Sequence, residues 1–433
     1  MTQIKAQTLK GFRDFLPKEA KKRQYAIGIL RSVFESYGFE PLETPALEYE
    51  EILLGKYGEE GDKLMYRFED NGKRRVALRY DQTVPLARVI AQYQNELVMP
   101  FKRYQIQPVW RAENTQKGRF REFLQCDADI VGVDTPLSDA ETILITAKAI
   151  EKLGFQNYKI IINDRNIFSN LIKRDIFSEK TLQIVIRAID KIKKIGREKV
   201  LEEIVGKDIP SEQATYTIQT IEQMQPTERL QNIFTLLNKL GINETQFEFS
   251  PTLARGLDYY TGVIFEVGVE GYTAGSVCGG GRYDNLIGMF MNQGNLPAGR
   301  QVPAVGFAFG FDRLIEAMEQ FNLFPANLDA TTKVLVTIFS PELVEKSLEV
   351  YSRLKFTLSE RSESKGSNNI STELYLDENT KMDKQMRYAN QKNIPHVIII
   401  GPEEAEKNMV TIRDMTTREQ KMMTLEEIVK MSF

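Results

Sequence analysis

The strongest constraint on the fold is a series of short apolar segments between Arg74 and Gly132. Segments such as RVALRY and VMPFKRYQIQPVWRAE alternate with polar residues that are typical of turns. Short apolar runs separated by turns indicate strands that pair with their neighbours in the sequence. We therefore predict an antiparallel sheet, and within it a hairpin over residues 101–132.

Helical patterns surround this predicted sheet. Apolar residues spaced close to i, i+3 and i+4 predict a helix over residues 17–37, and a second helix is expected at residues 139–153. Amphipathic patterns then recur over residues 178–240, where Pro210 and Pro226 interrupt them. This stretch indicates a helical module inserted into the strand-forming part of the chain. Strand patterns return at residues 247–250 and 263–269, and a helix is expected from about Asp312.

The end of the chain has a different order of elements. Strand and helix patterns alternate in the segments KVLVTIF, PELVEKSLEVYSRL, TELYLD, MDKQMRYANQ and HVIIIG. This alternation predicts a βαβ arrangement with parallel strands. The domain boundary is expected within residues 324–332, and the polar stretch 360–371 is predicted to be a loop.

The inventory of reactive residues excludes several classes of protein. Two cysteines, Cys126 and Cys278, cannot form a disulfide framework, which favours a reducing, cytoplasmic location. His396 is the one histidine in 433 residues, so a structural zinc site or a His-rich metal site is excluded. No apolar run approaches the roughly 18 to 20 residues that span a bilayer, so no membrane segment is expected.

The predicted hairpin carries the first group of residues suited to chemistry. We expect its first strand to end in Arg111 and Glu113, on one face, because side chains alternate along a strand. Gln125, Asp127 and Asp129 share one face of the partner strand. Cationic and acidic side chains would then meet on one sheet surface, although a solvated charged face would show the same pattern.

Three more clusters follow the helical module. These are RGLDYYTG (residues 255–262), VCGGGRYD (residues 277–284) and VGFAFGFDRL (residues 305–314). The three consecutive glycines would let the backbone approach a ligand closely. None of the clusters is a P-loop or a dinucleotide-binding G-x-G-x-x-G motif. Read alone, each also fits a turn or ordinary strand-to-helix packing.

Taken together, the four clusters contain several arginines, together with acidic and amide side chains. The guanidinium group of arginine can donate to two phosphate oxygens at once, and it stays charged at any working pH. Carboxylates and amide oxygens suit an ammonium ion. The residues therefore indicate a ligand pair made of a polyphosphate and an amino-bearing molecule.

The order of these segments resembles the histidyl-tRNA synthetase family of class II aminoacyl-tRNA synthetases over essentially the whole chain. KGFRDFLP, GFEPLETP and LRYDQTVPLAR are similar to early signatures of that family. The hairpin and VGFAFGFDRL resemble class II motifs 2 and 3. RGLDYYTG and CGGGRYD resemble the two family-specific histidine motifs and are the most specific of these matches.

The resemblance implies an α+β fold with two domains. These would be a class II catalytic domain with an antiparallel sheet at residues 1–325, interrupted by a helical insertion at about 166–241, and an α/β anticodon-binding domain at residues 331–433. It also implies a homodimer with the segment around Pro45 near the interface. The implied activity is that of a histidine–tRNA ligase. ATP, accompanied by Mg²⁺, would activate L-histidine as histidyl-adenylate, and the histidyl group would move to the 3′ end of tRNA(His).

The resemblance also implies roles for individual residues of this sequence. Arg255 and Arg111 would be the catalytic residues. Asp81, Thr83 and Gln125 would hold the α-amino group, and Asp129 and Tyr260 would read the imidazole. The implied histidine contacts are Asp81, Gln82, Thr83, Arg111, Gln125, Asp129, Arg255, Tyr259 and Tyr260, and the implied ATP contacts are Arg111, Glu113, Arg119 and Arg313. No metal-binding side chain is implied.

Three other functions fit parts of the same sequence. A histidine-sensing regulatory subunit of ATP phosphoribosyltransferase shares the fold without charging tRNA. A class II synthetase for another amino acid would share the catalytic domain. A tRNA-binding module without catalysis would bind tRNA but not ATP.

Overall fold

A computed structural model of the chain describes residues 4–116, 118–168, 179–255, 259–291, 301–356 and 371–431. The chain divides into two compact units, Met1–Leu323 and Phe324–Phe433. The strands in chain order are β1 (Glu40–Pro41), β2 (Leu47–Tyr49), β3 (Arg67–Glu69), β4 (Arg75–Leu78), β5 (Phe101–Trp110), β6 (Glu122–Val131), β7 (Tyr158–Asp164), β8 (Phe247–Phe249), β9 (Val263–Val269), β10 (Cys278–Arg282), β11 (Ala304–Gly310), β12 (Val334–Val336), β13 (Thr372–Leu374), β14 (His396–Ile399), β15 (Val410–Asp414) and β16 (Gln420–Met423). The helices are Pro17–Ser36, Glu50–Leu53, Gly58–Lys63, Thr83–Gln92, Pro136–Lys152, Glu179–Ile189, Ile192–Ile195, Arg197–Val205, Ser211–Glu222, Glu228–Lys239 and Phe311–Gln320 in the first unit, and Val344–Phe356, Met382–Gln391, Pro402–Lys407 and Leu425–Lys430 in the second.

The first unit is built on an eight-stranded sheet with the order β1-β5-β6-β11-β10-β9-β7-β8. The central pairs, from β5–β6 through β9–β7, are antiparallel, and only the outer β1–β5 and β7–β8 pairs are parallel. The predicted antiparallel sheet is thereby confirmed. A smaller antiparallel sheet, β2-β4-β3, lies in the same unit.

The predicted hairpin forms, but its first strand is shorter than expected. β5 and β6 pair over ten residues, from Phe101 opposite Val131 to Trp110 opposite Glu122. Our expectation that the strand continues to Glu113 was wrong. The backbone N–H of Ala112 donates to the carbonyl of Leu64 at 2.8 Å, outside the ladder, and this bond turns the chain away from β6.

The helix Pro136–Lys152 covers one face of this sheet. Thr135 caps its start, since Thr135 Oγ1 accepts from the N–H of Ser138, and Pro136 provides a fixed φ in the first turn. Ala140, Ile143 and Ala147 are fully buried at helical spacing. The helix begins three residues before its predicted start, because the cap lies upstream of the apolar pattern.

Buried ion pairs join three elements around Asp139, which lies on this helix. Arg282 of β10 contacts Asp139 Oδ1 through Nη2 at 2.6 Å, and Arg229 of the helix Glu228–Lys239 contacts Asp139 Oδ2 through Nη2 at 2.7 Å. The side chain of Asp139 is fully buried, and that of Arg282 is nearly so. The glycine-rich strand is therefore held to the helix layer by charge as well as by packing.

We expect the substitution Asp139→Ala to destabilise the first unit by about 3 to 5 kcal/mol, because Arg282 would lose a buried partner. The measurement is the shift of the urea unfolding midpoint. Lys407→Ala, which removes the exposed pair of Lys407 with Glu403, is the control and should change stability by about 0.5 kcal/mol or less. A loss no larger than that of the control would mean that the other acids near Arg282 compensate.

The helical module packs around a hydrophobic cluster, which also includes Ala254 from outside the module. Its buried residues include Leu182, Val185, Val200, Ile204 and Ile218. The last helix of the predicted module, Glu228–Lys239, packs against the helix Pro136–Lys152 instead. Residues 169–178, which belong to the predicted insertion at 166–241, lie outside the described residues.

The second unit contains the predicted βαβ arrangement. In the sheet order β13-β12-β14-β15-β16, the pairs of β12 with β13 and with β14 are parallel. β15 and β16 extend this sheet in antiparallel fashion and were not predicted. Of the predicted loop 360–371, residues 360–370 lie outside the described residues. No helix in the described part of the chain is long and apolar enough to cross a membrane.

Candidate active site

A cavity of about 290 Å³ opens over the middle of the eight-stranded sheet. Strands β6, β10 and β11 contribute residues to it, and the segments that follow β4 and β5 close its sides. All but one of the twelve residues implied by the sequence line this cavity. They are Asp81, Thr83, Arg111, Glu113, Arg119, Gln125, Asp129, Arg255, Tyr259, Tyr260 and Arg313.

Gln82 is the exception, because its side chain turns into the protein. It is fully buried, and its Nε2 donates to the carbonyls of Gln107 at 2.7 Å and Gln125 at 3.3 Å. Gln82 is the residue that precedes the helix Thr83–Gln92, and its side chain makes no hydrogen bond that caps this helix. Gln82 is therefore not among the residues that line the described cavity, and its side chain connects strands β5 and β6.

Glycines form the sheet surface under the cavity. A Cβ at Gly279 would lie 1.5 Å from Arg255 Nη1, and a Cβ at Gly306 would lie 1.9 Å from Asp129 Oδ1. At Gly281 a Cβ would lie 2.8 Å from Tyr260 Cδ1. The sequence suggested that the three consecutive glycines, residues 279–281, let the backbone approach a ligand closely. In the structure they make room for the side chains that line the cavity.

Arg255 is held firmly at the centre of the cavity wall. Its backbone has a φ of 49°, in the left-handed region that few residues other than glycine adopt. One oxygen of Asp190 accepts the N–H groups of both Ala254 and Arg255 at 3.1 Å, which fixes this turn. The guanidinium donates from Nη1 to the carbonyl of Phe265 at 3.1 Å. The next three residues of the RGLDYYTG cluster, 256–258, lie outside the described residues.

Further arginines gather at one end of the cavity. Arg111 reaches toward the opposite end, because its Nε donates to the carbonyl of Tyr80 at 3.1 Å and its guanidinium lies above the Tyr80 ring, which stacks on Tyr57. Arg313, in the first turn of the helix Phe311–Gln320, donates from Nη1 to the carbonyl of Ser276 at 3.2 Å. Burial, and then the nearby charge of Arg119, lower the pKa of Arg313. Positive charges this close favour an anionic ligand between them.

Carboxylates and tyrosines gather at the other end. Asp81 accepts from Tyr57 Oη at 2.9 Å, from Tyr259 Oη at 3.3 Å and from the N–H of Val84 at 3.1 Å. Burial raises the pKa of Asp81, and these hydrogen bonds oppose the shift. Two tyrosines and a helix start are thus tied to one buried carboxylate.

Asp129 is engaged in the same way. Arg103 Nη2 lies 2.7 Å from Asp129 Oδ2, and Tyr283 Oη donates to Oδ1. The side chains of both members of this ion pair are almost fully buried. Burial raises the pKa of Asp129, while the charge of Arg103 opposes the rise.

Sequence reasoning missed several residues that shape this end of the cavity, namely Tyr57, Tyr80 and Arg103. Arg103 sits on the same strand face as Gln105 and Gln107, directly opposite Asp129 in the hairpin register. The alternation of polar residues along β5 was a usable signal for Arg103. Tyr57 and Tyr80 carried no signal, because their side chains meet only when the segment before β5 folds back.

The first unit has a largely antiparallel sheet, and its cavity has arginines at one end and an acidic, tyrosine-lined pocket at the other. The second unit is α/β. This combination is the architecture of an aminoacyl-tRNA synthetase. Comparison with known proteins identifies the family within this class of synthetases. A sequence model described as histidyl-tRNA synthetase matches residues 11–314, and one described as an anticodon binding domain matches residues 333–431. The chain belongs to the histidyl-tRNA synthetase family.

Individual relatives align with this chain over nearly its whole length. The chain is 38% identical to a histidine–tRNA ligase of Cytophaga hutchinsonii, covering 97% of this chain and 98% of the relative. It is 39% identical to one of Azobacteroides pseudotrichonymphae, covering 97% and 96%. The crystal structure of histidyl-tRNA synthetase from Nostoc sp. PCC 7120 aligns with a TM-score of 0.81 at 30% identity and covers 99% of each chain.

Proposed function

We propose that the chain is a class II histidine–tRNA ligase that activates L-histidine with ATP and transfers the histidyl group to tRNA(His). The observation that supports this most directly is the division of one cavity into a cationic end and an acidic end. In the first step the histidine carboxylate attacks the α-phosphorus of ATP, and diphosphate leaves. In the second step a ribose hydroxyl at the 3′ end of the tRNA attacks the histidyl carbonyl, and AMP leaves.

The cationic end is proposed to bind ATP. Arg119 and Arg313 would contact the outer phosphates, Glu113 the adenine end, and Arg111 the α-phosphate and the substrate carboxylate. Arg255 would stabilise the negative charge that builds up at the α-phosphate during the in-line attack. No protein nucleophile is needed, because both attacking oxygens belong to the substrates.

The acidic end is proposed to bind histidine. Asp81, Thr83 and Gln125 line it on the side of the α-amino group, and Asp129 and Tyr260 lie where the imidazole would sit. Tyr259 completes the pocket wall, where its hydroxyl bonds Asp81. A pocket that hydrogen-bonds both ring nitrogens rejects analogues that lack them, since buried partners would be left unpaired.

Mg²⁺ is proposed to arrive with ATP and to neutralise part of the phosphate charge when bound. Among the described residues, no three His, Cys, Asp or Glu side chains cluster in a way that could hold a metal ion. Glu113, 3.5 Å from Arg119, and Asp312 are the carboxylates that line the described cavity beside Arg119 and Arg313. We therefore propose that phosphate oxygens and water hold most of the ion's coordination sphere, as Mg²⁺ usually requires.

The remaining assignments concern domains and assembly. We propose catalysis by residues 1–325, with the helical insertion at about 166–241, and anticodon binding by residues 331–433. We also propose a cytoplasmic homodimer, with the segment around Pro45 near its interface. Leu47, Tyr49 and Phe68 of the small sheet expose 43%, 53% and 43% of their surface, which supports a contact there.

The regulatory-subunit alternative is disfavoured, because relatives over nearly the full length are histidine–tRNA ligases and both family models match. The deciding experiment is exchange of labelled pyrophosphate into ATP with each of the twenty amino acids, in the absence of tRNA. We expect exchange with histidine alone. Histidine binding without exchange would favour the regulatory reading, and exchange with a different amino acid would reassign the substrate.

A further inference from the structure

The turn that carries Arg255 is held by a residue of the helical module. Asp190 directly follows the helix Glu179–Ile189, and its Oδ1 accepts the backbone N–H groups of Ala254 and Arg255, both at 3.1 Å. Among the residues that the structure describes, no backbone carbonyl accepts either of these two N–H groups. One carboxylate of the module therefore makes both of the hydrogen bonds that hold the backbone here.

The backbone conformation at Arg255 needs this support. Its φ of 49° lies in the left-handed region, which is unfavourable for a residue with a side chain. Such a conformation persists only where the surrounding structure imposes it. Without the two hydrogen bonds, we expect the chain to relax toward a negative φ. The direction of the side chain follows the backbone, so the guanidinium at its far end would move furthest.

The sheet fixes the residues just before this turn. Asn163, which is fully buried near the end of β7, donates from Nδ2 to the carbonyls of Leu253 at 2.7 Å and Pro251 at 3.2 Å. The next residue, Ala254, is 1% exposed and packs in the hydrophobic cluster of the helical module. The chain thus passes from a contact with the sheet to a contact with the module within two residues, and Arg255 lies at this junction.

The module is attached to the same end of β7. Thr227, which caps the helix Glu228–Lys239, donates from Oγ1 to Asp164 Oδ2 at 2.9 Å. Asp164 follows Asn163 in the strand and is 2% exposed. Asp190 therefore meets the turn from a module that is itself hydrogen-bonded to the sheet.

Asp190 contacts the backbone of Arg255, and the guanidinium has other partners. Its Nη1 donates to the carbonyl of Phe265 at 3.1 Å and lies 3.9 Å from Glu266 Oε1. The guanidinium also lies 5.5 Å from the centre of the Tyr260 ring, and Arg255 lines the cavity. The acid can thus fix the position of the arginine through its main chain and leave the guanidinium facing the substrates.

We propose that Asp190 is a positioning residue for the formation of the adenylate. It holds the backbone of Arg255 so that the guanidinium is oriented toward the reacting phosphate before the substrates bind. The helical module then takes part in the first step of the reaction, which needs no tRNA. This inference rests on the proposed function of the cavity and on the role of Arg255 within it.

The test is histidine-dependent pyrophosphate exchange without tRNA, using the full chain and its Asp190→Ala and Asp190→Asn variants. We expect Asp190→Ala to lower the maximal rate by roughly 10- to 100-fold, because a displaced charge matches the transition state poorly. The KM values for ATP and histidine should stay within a few-fold of wild type. Asparagine keeps an acceptor oxygen, so Asp190→Asn should recover most of the rate.

A double-mutant cycle separates positioning from a general structural effect. If Asp190 acts through Arg255, adding Asp190→Ala to Arg255→Ala should lower the rate no further. Val200→Ala truncates a fully buried residue of the module and should lower the unfolding midpoint without lowering the maximal rate, at a temperature where the variant is folded. Glu222→Ala removes an exposed carboxylate of the same module and should change neither.

Hydrogen exchange, followed by mass spectrometry, reads the two hydrogen bonds independently of activity. We expect the peptide that contains residues 254 and 255 to exchange faster in Asp190→Ala than in the wild type, and equally fast in Glu222→Ala. Unchanged exchange of this peptide in Asp190→Ala would mean that Asp190 does not hold the turn.

Three kinetic results would also overturn the proposal. A further loss of rate in the double variant would mean that Asp190 acts on something other than Arg255. Equal losses in Asp190→Ala and Val200→Ala would indicate a structural role only. A rate in Asp190→Asn as low as in Asp190→Ala would mean that the charge of Asp190 acts, rather than its hydrogen bonds. If the wild-type chain exchanged no pyrophosphate with any amino acid, the proposed function would fall, while hydrogen exchange would still decide whether Asp190 holds the turn.

Discussion

Arg255→Ala is expected to lower histidine-dependent pyrophosphate exchange by roughly 10²- to 10³-fold. The guanidinium is fixed over Gly279 by its bond to the Phe265 carbonyl, so its charge is oriented before the substrates bind. Water that replaces it would have to reorganise as charge develops on the α-phosphate. We expect the variant to fold, because Asp190 accepts hydrogen bonds from the backbone N–H groups of residues 254 and 255. An alanine at position 255 retains its backbone N–H group.

The measurement is the maximal exchange rate together with the KM values for ATP and histidine. Arg255→Lys keeps a charge without the planar fork and should recover only part of the rate. Arg197→Ala, on an exposed part of the helical module, is the control and should be as active as the wild type. Exchange by Arg255→Ala within a few-fold of wild type, with an unchanged unfolding midpoint, would remove Arg255 from the proposed role.

Gly279→Ala is expected to reduce exchange almost as strongly while changing stability little. The added Cβ would lie 1.5 Å from Arg255 Nη1 and 2.5 Å from its Cζ, so the guanidinium has to move. Moving the end of a flexible side chain costs the fold little. It costs the reaction much more, because a charge displaced by about 1 Å no longer matches the transition state.

Gly268→Ala provides a matched control for this substitution. Gly268 lies in β9 of the same sheet, and no atom lies within 4 Å of its Cβ position. The control should keep wild-type exchange and a wild-type unfolding midpoint. If Gly279→Ala lost stability and activity in parallel, the glycine would serve the packing of the sheet rather than the placement of Arg255.

Local patterns predicted the secondary structure well where one interaction dominates. The helix at 17–37 was observed as Pro17–Ser36, and the hairpin paired in the expected region. Errors arose at element ends. β5 ends at Trp110 because the amide of Ala112 bonds a distant carbonyl, and no pattern within β5 contains that information. β15 and β16 were missed for a similar reason, since their ladder depends on β14 as a template.

The predictions for the cavity were likewise correct where local sequence was sufficient and failed where it was not. Motifs selected eleven residues that the fold brings together, because their charges and spacing reflect the ligand groups to be bound. Gln82 belongs to the same sequence motif as its neighbours Asp81 and Thr83, and the motif implied a substrate contact for all three. The amide of Gln82, however, points into the sheet. Side chains of consecutive residues diverge, and only the surrounding backbone decides which of them reaches a cavity.

The sequence by itself therefore determined the family, the order of elements and the chemical types of group that meet the substrates. These follow from periodicity and residue type, which are local properties. Only the tertiary structure decided which carboxylates remain available to a ligand. Asp81 accepts hydrogen bonds from Tyr57 and Tyr259, and Asp129 is engaged by Arg103 and Tyr283. Among the described residues, Asp127 Oδ1 has no hydrogen-bond partner. Hydrogen-bond partners come from distant parts of the chain, so whether a buried group is satisfied is a property of the folded molecule.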